Sequence, residues 1–299
     1  MSLAIGSLQL GLIYSLIAMG IYISFRVLNT PDLTAEGSFV FGMAVMSISV
    51  VNGHPVLGII LALLAGGLAG LVTALLQTKL RIPAILSGIL TMTGLYTINL
   101  MVMQGSSNLT LLGVTSIYDL LGGLLPMEFE LAKIVVSLIF VVIAMAVLVL
   151  FFKTNCGLCI RAIGDNEMMA RSSSMSVDLY KIVGLMISNG LIALCGGLVA
   201  SDQGYADMNS GAGMLVVGLA AVIIGEAFIR RRTILAGMFS CLLGSVIYRF
   251  ILALAISTRI FPAYAMKLLS AVIVTIALAI PAYQYYKENY QLKKRDRHA

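Results

Sequence analysis

Apolar residues run in long blocks along this chain, separated by short polar interruptions. Nine blocks approach the length of about 20 residues that a helix needs to cross a bilayer. They cover about 5–25, 34–51, 56–78, 84–103, 132–152, 181–201, 213–229, 234–256 and 263–285. None alternates with period two, as the strands of an outer-membrane barrel would. The pattern predicts an all-α polytopic membrane protein with about nine transmembrane helices (8–10), built as a single transmembrane domain over 1–299.

The long polar interval in the second half, 153–181, breaks this rhythm. About fifteen residues in its middle read as a short helix carried between two spans. Asp165 or Asn166 caps its start, Glu167 occupies the first turn and Arg171 follows, as the helix dipole favours. Ile160, Ile163, Met168 and Met169 give it an apolar side. Two readings fit this pattern: a docking element for a partner protein, or an interfacial helix resting on lipid headgroups.

Composition agrees with the pattern. Hydrophobic residues make up 60% of the chain and charged residues 11%, with a mean hydropathy of +1.03. The N-terminus lacks a basic stretch and an A-x-A site, so it reads as a retained span. The net charge of +6 follows from topology. With the N-terminus outside and the C-terminus cytoplasmic, 15 of the 19 Lys and Arg residues fall inside, including Arg26, Arg161, Arg171, Arg230 and the basic tail 286–299. Asp119, Glu128, Glu130, Asp202 and Asp207 fall outside. The positive-inside rule selects that orientation, and no nucleic-acid partner is needed to explain the charge.

Several polar residues sit where lipid alone would not favour them. Thr30-Pro31 reads as the start of the second span, which would place Asp32, Thr34 and Glu36 near its beginning. Asp32 and Glu36 are either a solvated helix end or, if the segment dips into the membrane, pathway residues. Span 4 carries Ser87, Thr91, Tyr96 and Asn99, and span 6 carries Asn189; these are candidates for a translocation path, against the alternative of hydrogen bonds within the bundle. Gly66 and Gly70 form a small-xxx-small pair for close helix packing. Glu226 and Arg230 are spaced for an interfacial ion pair, with a proton relay as the rival reading. Arg249 lies within a span, and either snorkels or faces a cavity. The stretches 30–78 and 205–256 are loosely alike, hinting at an internal repeat.

Catalytic signatures are missing from the sequence. It has no G-x-x-x-x-G-K-[ST] loop for nucleotide and no H-E-x-x-H. Cys156-Gly157-Leu158-Cys159 is a lone pair of thiols without a second pair to make a metal site. The chain reads as neither an enzyme nor a metal protein.

The segment Gly157 to Asn166, with Ala170-Arg171 and Lys181, resembles the cytoplasmic loop of permease subunits in ABC importers of the branched-chain amino-acid and simple-sugar group. Gly211 to Gly225 looks like the same family's segment before its penultimate spans. Pro31 to Phe39, Leu86 to Thr93, Tyr96 to Leu100 and Ser107 to Leu112 are similar to an uncharacterised subgroup associated with tryptophan- or tyrosine-type uptake. The likeness covers nearly the whole chain. It departs from the common pattern at Ser172 to Met175 and at Glu226, where glycine is common. The resemblance implies a second permease copy in a homodimer, a cytoplasmic ATPase dimer that binds ATP and Mg, and an extracellular substrate-binding protein, with lipid around the spans. It implies ATPase coupling through Arg161, Gly164, Asp165, Asn166, Glu167, Ala170 and Arg171, no cofactor in this chain, and a bacterial inner-membrane location. An ion-coupled secondary transporter using Asp32, Glu36 or Glu226, and a membrane scaffold or receptor, are the rival functions.

Overall fold

The computed structural model describes residues 2–257 apart from 124, 125, 127 and 230–232, together with 268, 270–275 and 279. Helix α1 (Ser2–Ile21) runs on into a π-helical turn, Tyr22–Val27. There follow α2 (Ala35–Val51), α3 (Pro55–Thr78), α4 (Ala84–Val102), the short α5 (Ile117–Gly122) and α6 (Phe129–Lys153). The chain then builds α7 (Asn155–Asp165), α8 (Glu167–Ser172), α9 (Val177–Gln203), α10 (Met214–Phe228) and α11 (Ile234–Ser257). Strands β1 (Asn108–Thr110) and β2 (Tyr205–Asp207) pair antiparallel, Leu109 opposite Ala206.

Seven helical stretches among the described residues are long and apolar enough to cross a membrane, and α2 is an eighth apolar helix that is shorter. Each of the first eight predicted spans coincides with one of these. The ninth, 263–285, and the tail 286–299 lie outside the described residues but for a few positions. The interval 153–181 is narrower than its sequence suggests, because Lys153 closes α6 and α9 already begins at Val177.

The inner helices are α1, α2 and α9. Most of α9 from Gly184 to Ser201 is buried, so lipid cannot reach it and neighbours cover it on all sides. Helix α3 packs on α9 through the expected small residues. A Cβ at Gly66 would strike the Asn189 carbonyl, and one at Gly70 the Leu185 carbonyl. Helices α10 and α11 meet the same way, Gly225 against Ser240 and Gly244 against Ala221. Backbones thus approach closely where lipid-like side chains give no net drive to associate.

Helix α2 does not begin at Thr30-Pro31. It begins at Ala35, and residues 28–34 form an irregular stretch that turns at Asn29, whose φ is +52°. Asparagine tolerates this left-handed conformation better than most residues. Asp32 on this stretch meets Asn189, about twelve residues along α9 from Val177 and so roughly 18 Å from that helix end. The stretch therefore re-enters the bundle, which explains why α2, at 17 residues, is short.

Replacing Gly70 with valine forces α3 off α9 and is expected to destabilise the protein by about 1–3 kcal/mol. Gly67→Ala should leave the melting temperature unchanged, because the nearest atom to a Cβ there is 3.8 Å away. Thermal melting of the purified full chain in detergent checks both.

Candidate functional site

Two polar regions stand out, one at the end of the bundle and one inside it. At the end, α7 and α8 replace the single fifteen-residue helix that the sequence suggests. The break falls at Asn166, whose extended backbone (φ −156°, ψ 99°) ends α7. Asn166, not Asp165, caps α8 by accepting from the Met169 amide at 3.0 Å. Thr154 caps α7, accepting from the Gly157 amide. The apolar side divides in two. Ile160, Ile163 and Ala170 are buried, whereas Met168 and Met169 are 81% and 67% exposed.

Ion pairs fix α8 to the foot of α9. Glu167 Oε2 accepts from Lys181 Nζ at 2.7 Å, and Oε1 accepts from Arg171 at 2.9 Å. Arg171 also reaches Asp178 at 3.4 Å. The Lys181 hydrogen bond, partly offset by burial and assisted by Arg171, holds the Glu167 carboxyl below its ordinary value. Gly164 is not on the exposed face. A Cβ there would collide with the Val27 carbonyl, so α7 rests on the end of the π-helical turn. Arg161 and Asp165 are exposed and share a small cleft of about 180 Å³ with Tyr22 and Arg26. Burial and the neighbouring Cys159 push the Cys156 thiol up, which is opposite to what an activated cysteine needs.

Inside the bundle, Asp32, Thr34, Ser38, Thr73 and Asn189 are all buried and joined. Asp32 Oδ1 accepts from the Thr34 amide at 2.9 Å, and Oδ2 accepts from Asn189 Nδ2 at 2.6 Å. Ser38 donates to Asn189 Oδ1 at 2.7 Å, and Thr34 and Thr73 hydroxyls share a 2.7 Å bond. Asp32 is therefore not a solvated helix end, and it does not share a helix face with Glu36. Thr73 and Ser38 were not singled out from the sequence. A signal existed for Thr73, which follows Gly66 and Gly70 on one helix face.

Glu36 points elsewhere, accepting from the Gly213 amide at the start of α10 at 2.9 Å. It lines a cavity of about 370 Å³ with Tyr96, Asn99 and Asn209. Asn99 donates to the Gly37 carbonyl at 3.3 Å, and its Oδ1 is buried without a partner among the described residues. The Ser87 and Thr91 hydroxyls instead bond back to carbonyls of α4, and neither residue lines that cavity. Glu226 pairs with Arg26 at 2.7 Å, while Arg230 lies outside the described residues.

A family model described as a branched-chain amino acid transport system permease component matches residues 3–278. A tyrosine transport system permease protein of Clostridioides difficile is 40% identical over 93% of this chain and 91% of its own length. An uncharacterised protein of Rickettsia prowazekii is 34% identical over 93% of this chain and 98% of its own. An autoinducer 2 import system permease of Yersinia enterocolitica is 31% identical over 56% of this chain and 45% of its own. No solved structure matches.

Two outcomes follow from this geometry. Asp32→Asn and Asn189→Leu should be strongly non-additive in a double-mutant cycle on melting, with a coupling of about 1.5–3 kcal/mol for a charged buried hydrogen bond. Additive effects would break the link. The contribution of Glu167 is fully present above the carboxyl's ordinary pKa of 4.5 and is lost as pH falls through the depressed folded value. Hydrogen exchange in α8 should accelerate over that acid range, and Lys181→Met should move the onset to higher pH.

Proposed function

Because the chain belongs to the family of branched-chain amino acid transport system permease components, we propose that it is the membrane-spanning subunit of an ATP-driven importer for an amino-acid-like solute, of aromatic type. It is a multi-pass protein of the bacterial membrane. In this reading α7 and α8 face the cytoplasm and dock in a groove of a separate ATPase subunit, two copies of the chain enclose the path, and a substrate-binding protein delivers solute from outside. The N-terminus then lies outside. The tyrosine transport relative supports the aromatic class.

The observation that carries the proposal is the pairing of exposure and anchorage at α8. Two large apolar side chains, Met168 and Met169, stand in the open on a helix that Glu167, Arg171 and Lys181 tie to α9. A flexible loop would yield to a push, whereas an anchored helix passes it on. Met side chains suit a contact that must repack during a cycle. The push reaches the interior through Gly164, which rests on Val27, and through Leu28, which fills the space at Gly184. Four residues after Leu28 comes Asp32, so displacement of α7 bears on the joint that holds α2 to α9. The carboxylates that an ion-coupled carrier would use are engaged: Asp32 by Asn189, Glu36 by the Gly213 amide and Glu226 by Arg26. The short helices α2 and α10, each followed by a longer glycine-bearing helix, support an internal repeat over 30–78 and 205–256.

Reconstitution of the full chain with an ATPase subunit and a binding protein of the same importer class tests the reading. ATP-driven uptake of L-tyrosine into vesicles is expected. Met168→Glu with Met169→Glu should cut uptake by about thirtyfold or more, the equivalent of one interface hot spot, without changing the melting temperature. Uptake that persists without the ATPase and collapses with the proton gradient would replace this proposal with an ion-coupled carrier.

A further inference from the structure

A second interior cavity, of about 550 Å³, lies between α1, α10 and α11, and Arg249 lines it. The guanidinium carbon sits 3.6 Å above the Tyr14 ring centroid, and the buried Nε has no hydrogen-bond partner among the described residues. No aspartate or glutamate is among the described residues that line the cavity, and no ion pair to Arg249 occurs among them. A guanidinium inside a membrane bundle without a counter-charge is costly, and such residues mark ligand or ion paths. Stacking on Tyr14 steadies the cation but leaves the Nε donor to be satisfied.

The surroundings fit one kind of ligand. The planar fork of arginine matches a carboxylate through two parallel hydrogen bonds. Tyr14, Phe39, Tyr205 and Tyr248 give the same cavity an aromatic lining, and its size falls within the range that holds small molecules. Asn209 and Ala212 line this cavity and also the one holding Glu36. The Asn209–Ala212 segment thus separates the Arg249 cavity from the one that Glu36 lines, and leaves Arg249 to meet a carboxylate in its own cavity.

We propose that Arg249 is a solute-binding residue that receives the carboxylate of an aromatic amino acid in this cavity. The assignment rests on the transport reading above and names the group that it would recognise. Its test uses the full chain alone and the reconstituted complex in parallel. In detergent, L-tyrosine should raise the melting temperature of the wild-type chain, while tyramine, which lacks the carboxylate, should not. Arg249→Gln should abolish the tyrosine shift, and Arg249→Lys should restore part of it. In vesicles, Arg249→Gln should lower tyrosine kcat/KM by at least about tenfold, as loss of one partner of a buried charge pair does, and should remove the preference for tyrosine over tyramine. Wild-type tyrosine binding and preference in Arg249→Gln would overturn the assignment, as would an equal loss for both solutes alongside a lowered basal melting temperature. A tyrosine shift that depends on Arg249, in a complex that imports nothing with ATP, would support the binding site and overturn the importer.

Discussion

One buried hydrogen bond organises the interior. The Asp32 carboxylate lies inside a bundle of apolar helices, where an ionised group is tolerated only with donors around it. Asn189 supplies one, and the Thr34 amide another. Ser38 in turn donates to the Asn189 carbonyl oxygen, which turns the amide nitrogen toward Asp32. The 2.7 Å bond between Thr34 and Thr73 brings α3 into the same joint. Three helices and an irregular stretch are therefore fixed by side chains with little freedom to exchange partners. Close packing through Gly66 and Gly70 depends on the same alignment, because those glycines seat on the α9 carbonyls beside Asn189.

This joint sits one short segment from the surface element that the proposed importer pushes on. The π-helical turn Tyr22–Val27 widens the end of α1 and delivers Val27 to Gly164. Turns of this kind often mark functional positions within longer helices. Between them and Asp32 lie only residues 28–31, with the left-handed Asn29 as the corner. A rigid α7, a packed contact and a short connecting stretch form a contiguous route. That is the physical requirement for one end of a bundle to bias the other.

Most of the helices could be read from the sequence, because a span in lipid must be apolar over its whole length and satisfy its own backbone. The glycine pair in α3 was legible for the same reason, since small residues are how such helices approach. The start of α2 was not. Thr30-Pro31 carries a proper local start signal, yet Asp32 found a better partner in Asn189 than in a first helical turn, and that partner is distant in sequence. Asn166 was legible as a helix cap, but the separate helix α7 that ends there was not, because 160–171 is continuous in apolar spacing and only the cap on the Met169 amide divides it. Glu226 has a basic residue four positions on, but Arg26, two hundred residues away, occupies its carboxylate in the structure. Ser87 and Thr91 looked like path residues by type, but hydroxyls in a helix can bond to their own preceding turn and so carry little positional information.

The interior charges follow from where the short helices begin. Helix α2 starts beside Asp32 and runs away from the α7–α8 end, while α10 starts beside Glu36 and runs toward it, ending near Arg26. Each acid thus meets the amide-rich, positive end of a helix that begins inside the bundle. Backbone dipoles and amide donors do for these acids what a cation would otherwise have to do. The consequence falls on Arg249. With both acids already served by backbone and asparagine, the positive charge facing that cavity among the described residues is left to attract something that enters it.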